Sequence, residues 1–238
     1  AELLECTYFS EGLKIYPKIL EKLAKKDPLN LRIASMAAYV SKKENIKNIY
    51  SFCKNPLDFV FTKNLKNELR ASDKFSKNLS EILGKTELIW EPSSKPTSSG
   101  YHTLGNLFEK KDAEILILRQ LIKKQVIIYK ETYKSCKDYF ITKWPLKTKI
   151  IGWHVKLIKK GFQESHIHPA GWLSGCFYLK MPKPLKKGEG AISFGLHGYD
   201  YPIVNSNIPN YQYFPIEGDL ILFPSSLFHK TLPFSSND

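Results

Sequence analysis

The second half of the chain most constrains what it can fold into. From about Lys149 onward, short apolar runs are separated by Gly, Pro and Asn, and no helical period intervenes. Trp153, Val155 and Leu157 alternate with His154, Lys156 and Ile158, a period of two. Leu173–Leu179, Ala191–Gly195, Gln212–Pro215 and Leu220–Phe223 read as further short strands. Several such strands with turn signals between them argue for a sandwich, a jelly roll or a barrel.

The first half has another rhythm. Residues 1–85 read as helical: Leu13, Tyr16, Ile19, Leu20 and Leu23 recur at helical spacing. Asp27-Pro28 punctuates, with Pro28 placed in a first turn. A second stripe runs through Leu31, Ile33, Ala34, Ala37, Ala38 and Val40, and Ile46–Cys53 is expected as a third helix ended by Asn55-Pro56. The small residues on the second stripe fit either a tetratricopeptide-type hairpin or a plain helical cap. Residues 86–148 read as a linker, rich in Pro, Gly, Ser and Thr, followed by a supporting helix over Ala113–Tyr133 with Asp112 as its N-cap. The expected class is α+β, with N-terminal helices and a β domain over 149–238.

Composition narrows the function classes. Net charge is +13, which raises the question of an anionic partner. The lysines are scattered, however, Arg occurs only at 32, 70 and 119, and no aromatic–basic motif marks a nucleic-acid groove. A Lys-rich surface is the simpler account. No apolar run has the ~18 residues needed to span a bilayer, so membrane association is not expected. Cys6, Cys53, Cys136 and Cys176 form no CxxC pair and no zinc spacing, which fits reduced thiols in a cytoplasm. The chain starts at Ala1 and stops soon after an aromatic, Pro-containing stretch, as a piece of a longer protein would.

The candidate chemistry lies in Gly161-Phe-Gln-Glu-Ser-His166-Ile-His168-Pro-Ala-Gly171-Trp. In an extended segment residues i and i+2 project from one face, so His166 and His168 point the same way. Pro169 and Gly171 place the pair at a strand end. A third ligand is offered by Glu217-Gly-Asp-Leu-Ile-Leu-Phe-Pro-Ser-Ser-Leu-Phe-His229, where a turn feeds an apolar strand and a His follows its end. A returning strand of this kind can lie beside the first pair and complete a three-ligand face with open positions. A lone His is usually structural; here half of the six histidines fall in two segments with strand and turn logic. Glu164, the nearby carboxylate, is expected outside the ligand set. His154 is expected to be structural, His197 to be a loop residue, and His102 carries no assignment.

Residues Ile151–Phe234 resemble 2-oxoglutarate- and Fe(II)-dependent oxygenases of bacteria, in the prolyl-hydroxylase-like branch. The matching stretches are Trp153-His-Val-Lys-Leu, His166-Ile-His168-Pro-Ala-Gly-Trp172, Leu173-Ser-Gly175, Phe177-Tyr178, Gly218-Asp-Leu-Ile-Leu-Phe-Pro-Ser225 and His229-Lys-Thr-Leu-Pro-Phe234, with a weaker extension to Gly100–Phe108. The resemblance implies a double-stranded β-helix (jelly roll), Fe(II) held by His166, His168 and His229, and 2-oxoglutarate as co-substrate. It implies dioxygen as oxidant and hydroxylation of a protein or small-molecule substrate. His168 departs from the carboxylate common at that place, which makes the site less negative. Tyr178 matches a Tyr that contacts the far carboxylate of 2-oxoglutarate. The Arg expected after the distal His is missing from this chain, which leaves a strand beyond Asp238, or Lys156 or Lys180, to supply the cation. Trp172, Phe177, Phe194 and Phe223 either line the pocket or pack the core, with core packing expected for Phe194 and Phe223. Two other readings stay open: a three-His dioxygenase of cupin type that needs no 2-oxoglutarate, and a non-catalytic jelly-roll module on a helical adaptor.

Overall fold

The computed structural model describes residues 1–69, 72–93, 95–183, 185–199, 201 and 208–236. Arg70 lies outside them. The class is α+β, with antiparallel sheets throughout. No described helix is long and apolar enough to cross a membrane.

Helices α1 (Glu2–Glu11), α2 (Tyr16–Lys26) and α3 (Leu31–Lys43) open the chain. α3 starts at Asn30, whose side chain accepts from the Arg32 and Ile33 N–H groups and so satisfies two orphan donors. Pro28 sits in the turn ahead of this cap, not in the helix. α3 is buried nearly all round, including Ile33, Met36, Ala37, Ala38, Tyr39 and Val40. A helix without a polar face must be enclosed on every side.

The third helix expected over Ile46–Cys53 does not form; this stretch has no helical structure. Tyr50 and Phe52 are buried while Ile46 and Ile49 are exposed, which is not one helical face. Asn48 accepts from the Tyr50 N–H and turns the chain locally. The Ser51 and Phe52 carbonyls then accept from Tyr139 and Phe140, at the start of the short helix Tyr139–Thr142.

Among the described residues three three-stranded sheets follow. Strand β1 (Phe61–Asn64), inside the expected helical region, pairs with β8 (Asp219–Pro224), which pairs on its other edge with β5 (Leu173–Phe177). β2 (Leu88–Trp90), β3 (Thr97–Thr103) and β4 (Val155–Gln163) form the second sheet. The expected linker over residues 91–106 therefore contains a strand, β3, paired on both edges. Its Pro and Gly residues punctuate strands that β-formers such as Ile89, Trp90, Thr97 and Tyr101 build. The β3–β4 register shifts between Ser98 and Gly100. A Cβ on Gly161 would stand 2.5 Å from the Ser99 carbonyl oxygen, so this bulge requires glycine there.

The third sheet joins β6 (Ile192–Gly195) to β7 (Asn210–Tyr213) and β9 (Phe228–Thr231). The rings of Phe194 and Phe223 meet edge to face at 5.0 Å, so the first and third sheets face each other across a shared core. Both side chains are fully buried, as expected of core residues. The long helix over Ala113–Thr132 forms as read. Asp112 stands at its N-cap without a side-chain capping bond, and the Tyr129 hydroxyl donates to the Phe59 carbonyl.

The N-terminal helices are fastened to the sheets. Tyr39 packs on Tyr201, whose hydroxyl donates to Glu5, and on His197. Trp172 stacks on Phe140, meets Phe52 edge on, and donates its indole N–H to the Phe140 carbonyl. Trp172 therefore anchors the sheets to the helical side.

Candidate metal centre

β8 and β9 are consecutive in the chain but belong to different sheets, and the segment 166–168 bridges the gap between them. His166 exchanges both backbone hydrogen bonds with His229 on β9, while the His168 N–H donates to the Ser225 carbonyl just beyond β8. Ile167, between them, points into the core. This alternation turns both imidazoles to one side, as the i, i+2 spacing predicts.

His166, His168 and His229 come together: one ring nitrogen from each lies within 4.8 Å of the others. The Nε2 atoms of His166 and His168 are 3.2 Å apart. Two imidazoles bound at about 2.1 Å to adjacent positions of one cation have nitrogens about 3 Å apart. His229 is 3% exposed, and its ring packs on Phe223.

The proton positions follow from the partners. A carbonyl only accepts, so His166 Nδ1–H donates to the Glu164 carbonyl (2.7 Å) and His229 Nδ1–H to the Leu227 carbonyl (3.1 Å). Both Nε2 atoms then present lone pairs. His168 Nδ1 bonds to Ser174 Oγ at 2.7 Å, which bonds to Ser225 Oγ at 2.7 Å. A hydroxyl donates or accepts, so this pair serves either tautomer of His168. Outer partners of this kind orient metal-binding imidazoles.

Burial also keeps the rings neutral. Desolvation lowers His166 and takes His229 well below its ordinary value. Desolvation, His166 and Lys95 bring His168 to about 4. Buried His102 likewise falls to about 4, through desolvation first and Lys95 next. Neutral imidazoles are the form that binds metal. The donor set thus fits a divalent transition metal: three neutral nitrogen ligands with two tautomers locked by carbonyls.

In each of these histidines the folded state holds a proton less readily than the unfolded chain. Stability conferred by the neutral rings is complete above about pH 6.5 and is lost as the pH falls toward 4. The metal-free protein should melt several degrees lower at pH 5 than at pH 7, measured by circular dichroism. A pH-independent melting temperature would refute the burial argument.

The other expected residues lie elsewhere. Glu164 is exposed and contributes its backbone carbonyl. Lys156 and Lys180 are exposed, and Lys156 lies across from Tyr101 in the second sheet. Among the described residues, Lys95 is the only cationic side chain whose charge acts on His166 or His168. Tyr178 follows β5 with the strand parity of Ser174, and burial raises its hydroxyl well above the ordinary range. Neither described arginine serves the triad: Arg32 pairs with Glu2 and Glu5, and Arg119 donates to the Phe108 carbonyl. His197 accepts Ser165 Oγ–H at its backbone carbonyl, and its ring bonds to the Tyr201 carbonyl.

Sequence reasoning missed Ser174 and Ser225 as partners of His168. Both stand in the stretches quoted for the resemblance, but their meeting depends on the β5–β8 pairing. Ser174→Ala should weaken Ni(II) binding by about 10–100-fold in a calorimetric titration. Unchanged affinity would show that the hydroxyl does not orient the ring.

Residues 152–238 match the family model described as "Putative 2OG-Fe(II) oxygenase". The stretch that carries all three histidines is thus similar to an oxygenase domain that uses iron and a 2-oxo acid. No curated protein matches the chain.

Proposed function

We propose that the chain is a non-haem Fe(II)- and 2-oxoglutarate-dependent oxygenase that hydroxylates a protein or small-molecule substrate with dioxygen. The observation that carries this reading is the convergence of His166, His168 and His229 within a segment similar to that oxygenase family. On this reading the three Nε2 atoms hold the metal. When bound, Fe(II) supplies redox chemistry and open coordination positions for a 2-oxo acid and dioxygen.

The chain's own residues orient and shield. The Glu164 and Leu227 carbonyls hold two imidazoles in their metal-binding tautomers, and Ser174 with Ser225 holds the third. Phe223 packs against His229 and excludes water from that side. Tyr178, partly buried just past β5 with the parity of Ser174, is assigned to the far carboxylate of 2-oxoglutarate. We read the two facing sheets as the walls of a double-stranded β-helix over 149–238. The Tyr201–Glu5 and Trp172–Phe52 contacts favour a helical cap over a tetratricopeptide-type adaptor. We place this activity in the cytoplasm and in the prolyl-hydroxylase-like branch found in bacteria.

The iron-loaded protein should convert 2-oxoglutarate to succinate as dioxygen is consumed, followed by chromatography and an oxygen electrode. A ligand set of three neutral imidazoles also favours a second reading, a three-His dioxygenase that needs no 2-oxo acid. Oxygen uptake with no succinate would replace the first reading by the second.

A further inference from the structure

Beside the triad stands a polar wall that the metal reading leaves unused. His102, on β3, is 3% exposed, and its Nδ1 is buried without a partner. Its Nε2 bonds to the Thr97 hydroxyl. That hydroxyl accepts from Gln163 Nε2–H at 3.1 Å and keeps one proton of its own to give, for which His102 Nε2 is the acceptor beside it. With the Thr97 proton given to Nε2, the ring hydrogen of His102 sits on Nδ1, a buried donor with nothing to meet. A buried donor left unpaired is costly, and a ligand atom is one way to satisfy it. His154 also has a buried, unpartnered Nδ1.

The second observation is Lys95. Its ammonium lies 5.1 Å over the ring of Trp153, and Trp153 meets the His168 ring edge on at 5.7 Å. Lys95 is exposed and makes no ion pair among the described residues. Its charge reaches His102, His166 and His168, and no carboxylate acts on any of these rings. Thr97 pairs with Gln163 three residues before His166, which puts the two groups on adjoining backbone.

We propose that Lys95 and His102 form a carboxylate-binding subsite beside the triad, and that the substrate bears a carboxylate held there. One ammonium and one N–H donor suit the two oxygens of a carboxylate, and the Trp153 ring contacts both the cation and the His168 ring. A divalent cation on three neutral ligands next to a lysine also favours an anionic occupant. This rests on the oxygenase reading for the role of the neighbouring metal, but the subsite itself needs no metal.

The test is calorimetric titration of glutarate into the Ni(II)-loaded full chain with 2-oxoglutarate at saturation. Inorganic phosphate at equal ionic strength is the comparison. Lys95→Met and His102→Leu should each weaken glutarate about tenfold or more. Lys95→Arg, and His102→Asn with an amide donor near the Nδ1 position, should retain most of it, and Ni(II) affinity should not change. Equal glutarate binding by all variants, or phosphate bound as well as glutarate, overturns the subsite and leaves the metal reading intact. Glutarate displaced by 2-oxoglutarate overturns it as a substrate subsite. If the protein takes up no Ni(II), the oxygenase reading fails. The same titration on metal-free protein then decides the subsite: binding that depends on Lys95 and His102 upholds it, and no binding overturns it.

Discussion

Replacing His166 or His229 with alanine should abolish metal uptake. The wild-type chain is expected to take up one Ni(II) or Fe(II) per molecule, and each variant should bind more than about 100-fold less tightly, beyond the loss of an outer partner. Each imidazole supplies a lone pair whose direction a carbonyl has set, and two remaining nitrogens make a poor site. His229 is buried, so its alanine variant also leaves a cavity. His229→Gln keeps the volume, and melting of the metal-free proteins separates misfolding from ligand loss. His168→Asp is the informative contrast. A carboxylate adds a negative charge, and its second oxygen can accept from Ser174. Metal binding should hold or tighten. Loss of metal on that change would show that His168 is not a ligand.

The pairing of His166 with His168 was legible because it depends on local geometry alone. Two residues apart in an extended segment share a face in any sheet. That His229 joins them was readable only as a turn, a strand and a following His. Its actual placement rests on β8 and β9 belonging to different sheets while the 166–168 segment bonds to both. Lys95 and His102 were not legible at all. They reach the site through β3, in a stretch whose Pro, Gly and Ser content reads as a linker. The error has a physical source. Pro92 and Pro96 bracket the turn between two strands, and Gly100 pairs with Leu157 beside the bulge where Gly161 packs on Ser99, so residues that break one structure here organise another. The helix expected over Ile46–Cys53 failed for a related reason: the Ser51 and Phe52 carbonyls accept from Tyr139 and Phe140 of a distant segment, and local propensity yields to such tertiary pairing.

The same limit explains β1, and Asp219 makes it testable. Asp219 is 2% exposed, yet its carboxylate is fully engaged. It accepts from Asn64 Nδ2 of β1 (2.8 Å), the Tyr213 hydroxyl of β7 (2.9 Å) and the Ile216 N–H (2.8 Å). One side chain therefore ties a strand from the N-terminal region to two strands of the sheets that hold the triad. Gly218, at a φ of 90°, makes the turn that delivers it. Asp219→Ala leaves three donors facing a void, which should cost about 3 kcal/mol. Asn64→Ala should cost less, and the double variant should fall short of the sum, because the two residues share one bond. If residues 1–85 were a separate adaptor, Asp219→Ala would weaken only the β domain, and urea unfolding would split into two transitions. With β1 an edge strand of the β8 sheet, unfolding should stay a single transition shifted to lower urea. A split transition, or a loss below about 1 kcal/mol, would detach the N-terminal region from the fold that carries the site.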